Sequence, residues 1–127
     1  MALAETLRLL DVIAEPNRLR ILNALSARKM CVCELCGALK LKQSVMSQHL
    51  RVLRDCGLVQ ASKNGLWVDY RLSPSALAGP AGRILKTILT ETQRDDTIRK
   101  DREASAKIDR RALCAGASAK KTRRPRA

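Results

Sequence analysis

The chain has 127 residues and a net charge of +13, from 25 Lys and Arg against 12 Asp and Glu. One Trp, one Tyr and no Phe leave an aliphatic core, which favours helices over a large sheet. The charge indicates a polyanionic partner such as nucleic acid. No apolar run approaches the ~20 residues that cross a bilayer, and the N-terminus lacks a signal-peptide pattern. We therefore expect a cytoplasmic protein with reduced thiols and no membrane partner.

Two amphipathic helices are predicted at the start of the chain. Apolar residues recur at helical spacing from Leu3 to Ile13, which predicts a helix over about 2–13. Pro16 is favoured in a first helical turn, and the helix that it begins should end near 26–27. The first apolar stripe fits either core packing or a dimer interface.

Three thiols then fall within the six residues Cys31-Val32-Cys33-Glu34-Leu35-Cys36. Thiolates select soft metals, and three of them match As(III) or Sb(III), which binds three sulfurs and keeps a lone pair in the fourth direction. Cys33 and Cys36 share a helix face, whereas Cys31 and Cys33 lie about 200° apart on a regular helix. We therefore expect that one ion reaches all three only if the first turn distorts, and that the site does not fully preform.

Other uses of these thiols remain open. Structural zinc normally takes four protein ligands, and the only histidine, His49, belongs to the next helix. A redox enzyme built on Cys33-x-x-Cys36 would need a βαβ setting, which does not precede it. A thiol-redox-switched repressor stays an alternative, because a disulfide within the segment would distort the same helix. So does a repressor that senses another soft metal ion.

A polar helix is predicted from Gln43 to Asp55. Met46, Leu50 and Leu53 form its buried stripe, and the opposite face carries short hydroxyls, an amide and an Arg, which read base edges and phosphates in a major groove. Gly57 should close the helix. The candidate DNA-binding residues of this helix are Gln43, Ser44, Ser47, Gln48, His49 and Arg51. With the shorter helix before it, it predicts a helix-turn-helix.

A β-hairpin is predicted next. Alternating runs at 58–63 and 66–72 flank Lys63-Asn64-Gly65, and Asn-Gly is a strong hairpin signal. A hairpin directly after the polar helix is a wing, and Lys63 and Asn64 at its tip are candidates for DNA contact. The fold class is therefore mainly α with a small β-hairpin, a dimeric winged helix-turn-helix.

A final helix over about 80–93 carries an apolar stripe that dimerisation would bury. We assign residues 1–93 to a DNA-binding and dimerisation domain, and 94–127 to a basic, partly disordered C-terminal extension. Residues 107–127 alone hold +7 of the +13 charge. Cys56 is interpreted as a small buried residue, and Cys114 as at most an accessory thiol. No catalytic set is visible, so we do not expect an enzyme; a general chromosomal DNA-binding protein is the remaining competitor.

Over about residues 3–92 the order of elements resembles the arsenical-resistance repressor (ArsR) family of winged-helix proteins. The resemblance rests on Cys31-Val32-Cys33-Glu34-Leu35-Cys36, on the stretch from Gln43 to Leu50, and on the stretch from Gly65 to Leu72. The cysteine motif looks like that of the As(III)/Sb(III)-sensing branch.

The resemblance implies a homodimer that represses its own resistance operon and needs no organic cofactor. The apo form would bind an inverted-repeat operator in double-stranded DNA, and As(III) or Sb(III) at Cys31, Cys33 and Cys36 would release it as the inducer. Lys42 departs from the family, where Ser or Thr often caps the recognition helix, which weakens that cap by about 1 kcal/mol. The basic tail beyond residue 93 is not part of the family pattern.

Overall fold

A computed structural model describes residues 1–111 and residue 113. Within them the elements follow the order α1 (Leu3–Ile13), α2 (Pro16–Ala27), β1 (Met30–Cys31), α3 (Val32–Leu39), α4 (Gln43–Asp55), β2 (Val59–Asn64), β3 (Trp67–Leu72), α5 (Gly79–Thr92) and α6 (Asp96–Lys107). The predicted bounds of the first two helices and of the polar helix hold to within a residue. The fold is a winged helix-turn-helix, as the sequence indicated.

The core is aliphatic and lies where α2, α3 and α4 meet. Ile21 and Leu22 of α2, Leu35 of α3, and Met46 and Leu53 of α4 are all fully buried. Helix α2 begins with Pro16 next to Glu15, whose carboxylate accepts the N–H of Arg18 at 2.8 Å and so satisfies a free donor of the first turn. This packing joins α2, α3 and α4 around one shared core.

The turn between α3 and α4 is closed by hydrogen bonds to one carbonyl. Lys40 adopts the left-handed conformation (φ 57°), and its N–H donates to the carbonyl of Cys36. The N–H of Leu41 donates to the same oxygen at 3.3 Å.

The C-terminal end of α4 is closed at Gly57 (φ 81°), as predicted. There the N–H of Leu58 donates to the carbonyl of Leu53 at 2.9 Å.

The sheet has three antiparallel strands in the order β1-β3-β2. Strand β1 was not anticipated; Met30 lies opposite Tyr70, and Cys31 opposite Asp69. The hairpin of β2 and β3 forms as predicted, but its two-residue loop is Gly65–Leu66 rather than Asn64-Gly65, because Asn64 pairs with Trp67. Gly65 takes the positive φ (63°) that the first loop position of such a turn requires.

The packed part of the chain continues beyond the predicted boundary at residue 93. Helix α6 is a separate helix that lies against α2 and α3, with Ile98, Asp101 and Ser105 buried. The Arg20 guanidinium of α2 forms two hydrogen bonds with Asp101, at 2.8 and 3.0 Å. Residues 112 and 114–127, where we expect disorder, lie outside the described part of the chain.

Helix α1 leaves apolar side chains uncovered. Leu3, Leu7 and Leu10 are exposed, as is Ile84 of α5. These residues belong to the two stripes for which the sequence analysis considered a dimer interface, and that role stays a prediction. No helix among the described residues is long and apolar enough to cross a membrane.

Candidate thiol site and DNA-facing helix

Cys31 is not part of the cysteine-bearing helix, contrary to the geometry assumed from the sequence. It ends β1 in an extended conformation (φ −85°, ψ 171°) and is the N-cap of α3. Its side chain accepts the N–H of Glu34, and its own N–H donates to the Glu34 carboxylate at 3.0 Å. This reciprocal capping box holds Cys31 in place and almost fully buried. The separation of about 200° that a regular helix would impose on Cys31 and Cys33 therefore does not apply.

Cys33 and Cys36 lie on α3, and both are half-buried free thiols. Burial, and to a smaller extent repulsion of its anion by the nearby Cys33 and Cys31, raises the pKa of the Cys36 thiol to about 11. Cys33 and Cys31 therefore both lie near enough to Cys36 to disfavour its anion. At neutral pH the Cys36 side chain is a neutral thiol, not a thiolate.

The donor set fits a three-coordinate thiophilic ion better than a four-coordinate one. Among residues 1–111 and 113, no group of three or more His, Cys, Asp or Glu side chains is already arranged around a metal position. The carboxylate of Glu34, which lies between Cys33 and Cys36 in the sequence, is occupied by Cys31 and two arginines, so it is a poor fourth ligand.

A buried network of charges surrounds the start of α3. The Glu34 carboxylate accepts from Arg28 at 2.9 Å and from Arg110 at 3.0 Å. Burial works to raise the pKa of Glu34, but the hydrogen bonds from Cys31, Arg28 and Arg110 outweigh it and lower that pKa. Glu34 is therefore a buried anion held by two cations.

Arg110 extends this network to the wing. It also pairs with Asp69 of β3, and its guanidinium lies over the Trp67 ring at 4.9 Å from the centroid. Burial works to lower the pKa of Arg110, but the hydrogen bonds to Asp69 and Glu34 prevail and raise it. The sequence analysis missed Glu34, Asp69 and Arg110 as site residues. Only Glu34 had a signal, since a residue three places after an N-cap often completes a capping box.

Helix α4 presents the polar face predicted for DNA contact. Met46, Leu50 and Leu53 are buried as expected. The exposed candidates on this helix are Gln43, Ser44, Ser47, Gln48 and Arg51. As expected from Lys42 at the N-cap, no side chain caps the start of the helix.

The structure does not bring His49 to this exposed face. Its side chain is mostly buried, and Nε2 lies 3.6 Å from the carboxylate of Glu15 at the start of α2. His49 therefore packs between α4 and α2, although the sequence analysis counted it among the candidate DNA-binding residues. On the wing, Lys63 and Asn64 are exposed near the hairpin tip, where Leu66 is 99% exposed.

Cys56, the remaining thiol among the described residues, lies at the far end of α4. Cys56 is the C-cap of α4, half-buried, and its Sγ donates to the carbonyl of Leu53 at 3.4 Å. That placement fits the small packed residue expected from the sequence. Cys114 lies outside the described residues.

Residues 15–61 match the family model of bacterial regulatory proteins of the arsR family. The chain is 45% identical over 69 residues to the arsenical resistance operon repressor of Escherichia coli (strain K12), covering 54% of this chain and 59% of that protein. This chain spans 48% to 59% of the lengths of that protein and two further curated relatives.

Two solved structures resemble the fold. Reduced HlyU from Vibrio cholerae N16961 is 35% identical with a TM-score of 0.60, over 72% of this chain and 87% of that one. The homodimeric winged helix-turn-helix DNA-binding domain of Mb0332 from Mycobacterium bovis is 23% identical with a TM-score of 0.61, over 72% and 81% of the two chains. The second likeness supports the fold alone.

Proposed function

The chain belongs to the arsR family of bacterial regulatory proteins, and we propose that it is a metalloid-responsive transcriptional repressor. Its apo homodimer binds an inverted-repeat operator in double-stranded DNA. As(III) or Sb(III), bound by Cys31, Cys33 and Cys36, releases that DNA. The similarity to an arsenical resistance operon repressor supports this choice of inducer.

One observation carries the proposal: one end of the thiol segment pairs with the wing strand, and the other end is hydrogen-bonded to the turn that leads into α4. Cys31 pairs in register with Asp69 of the wing strand β3. The carbonyl of Cys36 accepts the N–H groups of Lys40 and Leu41, which form the turn into α4. An ion that draws these two residues together therefore pulls on the wing and on the recognition helix at once.

The chemistry also favours a metalloid over a divalent cation. Arsenous acid, As(OH)₃, is neutral; three thiols replace its three hydroxyls, three As–S bonds form, and three waters leave with the thiol protons. No thiol has to ionise beforehand, which suits the raised pKa of Cys36. A divalent cation needs thiolates and must displace that proton into solvent.

DNA contact is assigned to the exposed face of α4 and to the wing. Two copies of α4 enter successive major grooves, and the wings approach the phosphate backbone or minor groove. The contact residues that we propose are Gln43, Ser44, Ser47, Gln48, Arg51, Lys63 and Asn64.

The dimer surface comprises the exposed leucines of α1 and Ile84 of α5. Shifting DNA from mostly bound to mostly free requires a difference of ~3–5 kcal/mol between the two states, which three As–S bonds can supply.

A thiol-redox switch is the second candidate, since the similar HlyU structure is described as reduced. A disulfide at Cys31–Cys33 or Cys33–Cys36 would disturb the same elements. The raised pKa of Cys36 weighs against it, because the thiolate is the form that oxidises.

Titration of the reduced protein with arsenite tests the ligand set directly. The near-ultraviolet absorbance of As–thiolate bonds should saturate at one arsenic per chain. We expect Cys31→Ser, Cys33→Ser and Cys36→Ser each to weaken arsenite binding. Cys56→Ser makes the same change at the end of α4 and should leave arsenite binding unchanged. Wild-type arsenite binding by all three single variants would exclude this site. DNA binding that is lost on oxidation but does not respond to arsenite would favour the redox switch.

A further inference from the structure

The segment after α6 lies across the helix that carries the thiols. We call residues 108–111 together with Leu113 the strap. A Cβ placed on Gly37 would lie 3.2 Å from side-chain atoms of both Ile108 and Leu113. The strap therefore packs directly on α3, beside Cys36, and a side chain at position 37 would require the strap side chains to give by a few tenths of an ångström.

Two further contacts, from α2 and from its C-cap Arg28, hold α6, the helix that leads into the strap. Asp101 binds Arg20, which also donates to the carbonyl of Leu39 at 2.7 Å, at the end of α3. Arg28 donates to the carbonyl of Ser105 at 3.0 Å. The strap is therefore anchored to the core on its N-terminal side and reaches the thiol helix from there.

Arg110 is the strap residue that joins the thiol site to the wing. Its guanidinium contacts the carboxylates of Glu34 and Asp69 and the ring of Trp67. Glu34 is also the residue that accepts the N–H of Cys31. One cation thus connects the capping box of the thiol helix with two residues of β3.

Asp69 depends on this cation more than Glu34 does. Glu34 keeps Arg28 and Cys31 as partners in the absence of Arg110. Asp69 is 1% exposed, and one of its carboxylate oxygens has no hydrogen-bond partner within residues 1–111 and 113. A buried carboxylate without its cation is unfavourable, so the position of β3 depends on Arg110.

We propose that Arg110 is a positioning residue that couples the thiol site to the wing. The inference rests on the proposed function and extends it to a part of the chain outside the family pattern. When an ion draws Cys31 toward Cys33 and Cys36, Cys31 leaves the Glu34 carboxylate and the capping box opens. Glu34 then shifts with the start of α3, so Arg110 can no longer contact Glu34 and Asp69 at the same time. Asp69 and Trp67 are then free to move with the wing.

Trp67 is the only tryptophan in the chain, so its fluorescence reports the Arg110 contact without labelling. In the full-length reduced protein, arsenite should change the Trp67 emission in parallel with DNA release. In Arg110→Gln the emission of the apo protein should already differ from wild type and should respond little to arsenite. The ratio of DNA affinities without and with arsenite should fall at least about fivefold, while arsenite still binds at one per chain.

Arg111→Gln is the matched control, because Arg111 carries the same charge one residue further on and is exposed. It should behave as wild type in emission and in DNA release. The double variant Asp69→Asn/Arg110→Gln removes both charges together and leaves no buried carboxylate without its cation. We therefore expect it to fold even if Arg110→Gln alone does not. It should also lose the coupling. Wild-type coupling in either Arg110 variant, or DNA release by the wild type with no change in Trp67 emission, would overturn the inference. Failure of the wild type to bind arsenite at all would instead refute the proposed function.

Discussion

Replacing Asp101 by Asn tests whether α6 is an integral part of the domain. The Asp101 side chain is 6% exposed and holds Arg20, which is 19% exposed. Breaking a buried ion pair from one side costs about 3–5 kcal/mol, because the remaining charge stays buried without its partner. Arg20 retains hydrogen bonds to the Leu39 carbonyl and to Asn17, so we expect a loss near 2 kcal/mol.

Urea unfolding followed by far-ultraviolet circular dichroism measures this loss. Glu103→Gln is the control, since it makes the same carboxylate-to-amide change on α6 at a largely exposed site. We expect its unfolding midpoint to match wild type, because exposed pairs contribute little. If Asp101→Asn also matches wild type, α6 is not packed on α2 as described. If it unfolds in two steps while wild type unfolds in one, α6 is a separable unit.

Four further results are expected. Cys33→Ser should bind operator DNA as tightly as wild type but keep it when arsenite is added, as measured by electrophoretic mobility; release of that DNA would show that Cys33 is not a ligand. Raising the pH from 6 to 8 should strengthen cadmium or zinc binding but leave arsenite affinity nearly constant, because the pKa of Cys36 is raised to about 11 and only the cations must displace its proton; a steep rise for arsenite in isothermal titration would refute the neutral exchange. Leu50→Ala should cost ~2–5 kcal/mol of unfolding free energy in urea, since Leu50 is 2% exposed. Gly65→Ala should cost about 1 kcal/mol through its positive φ alone, with nothing within 4 Å to clash, and Gly65→Asn should cost less; equal stability of all three proteins would contradict the turn geometry.

Local patterns were enough to predict the helices. The Met46, Leu50 and Leu53 stripe predicted both the bounds of α4 and its buried face, because a helix that packs on one side must repeat its apolar residues every three or four positions. Pro16 and Gly57 marked a start and a stop through backbone properties that do not depend on the rest of the fold.

Contacts between distant residues could not be predicted in this way. Strand β1 has two residues, and it forms only because β3, some forty positions later, lies beside it. The hairpin loop differed from the expected one by a single residue, because cross-strand pairing of Asn64 with Trp67 set the register. The sequence therefore indicated a wing but not its link to Cys31.

The charges around the thiol site were also beyond reach of the sequence. The sequence analysis assigned Arg110 to a basic, partly disordered extension and gave Asp69 no role. Their burial together with Glu34 arises only when α6 returns across α3. The thiols themselves could be recognised because three soft donors in six residues are unusual chemistry at any position in a fold.

The most direct test is fluorescence anisotropy of the reduced protein on the DNA upstream of its own gene, titrated separately with arsenite and with zinc. The account predicts salt-sensitive, sequence-specific binding by the apo protein, complete release near one arsenite per chain, and no release by zinc at the same concentrations. Specific binding that ignores arsenite but falls with peroxide would contradict the metalloid site in favour of a redox switch.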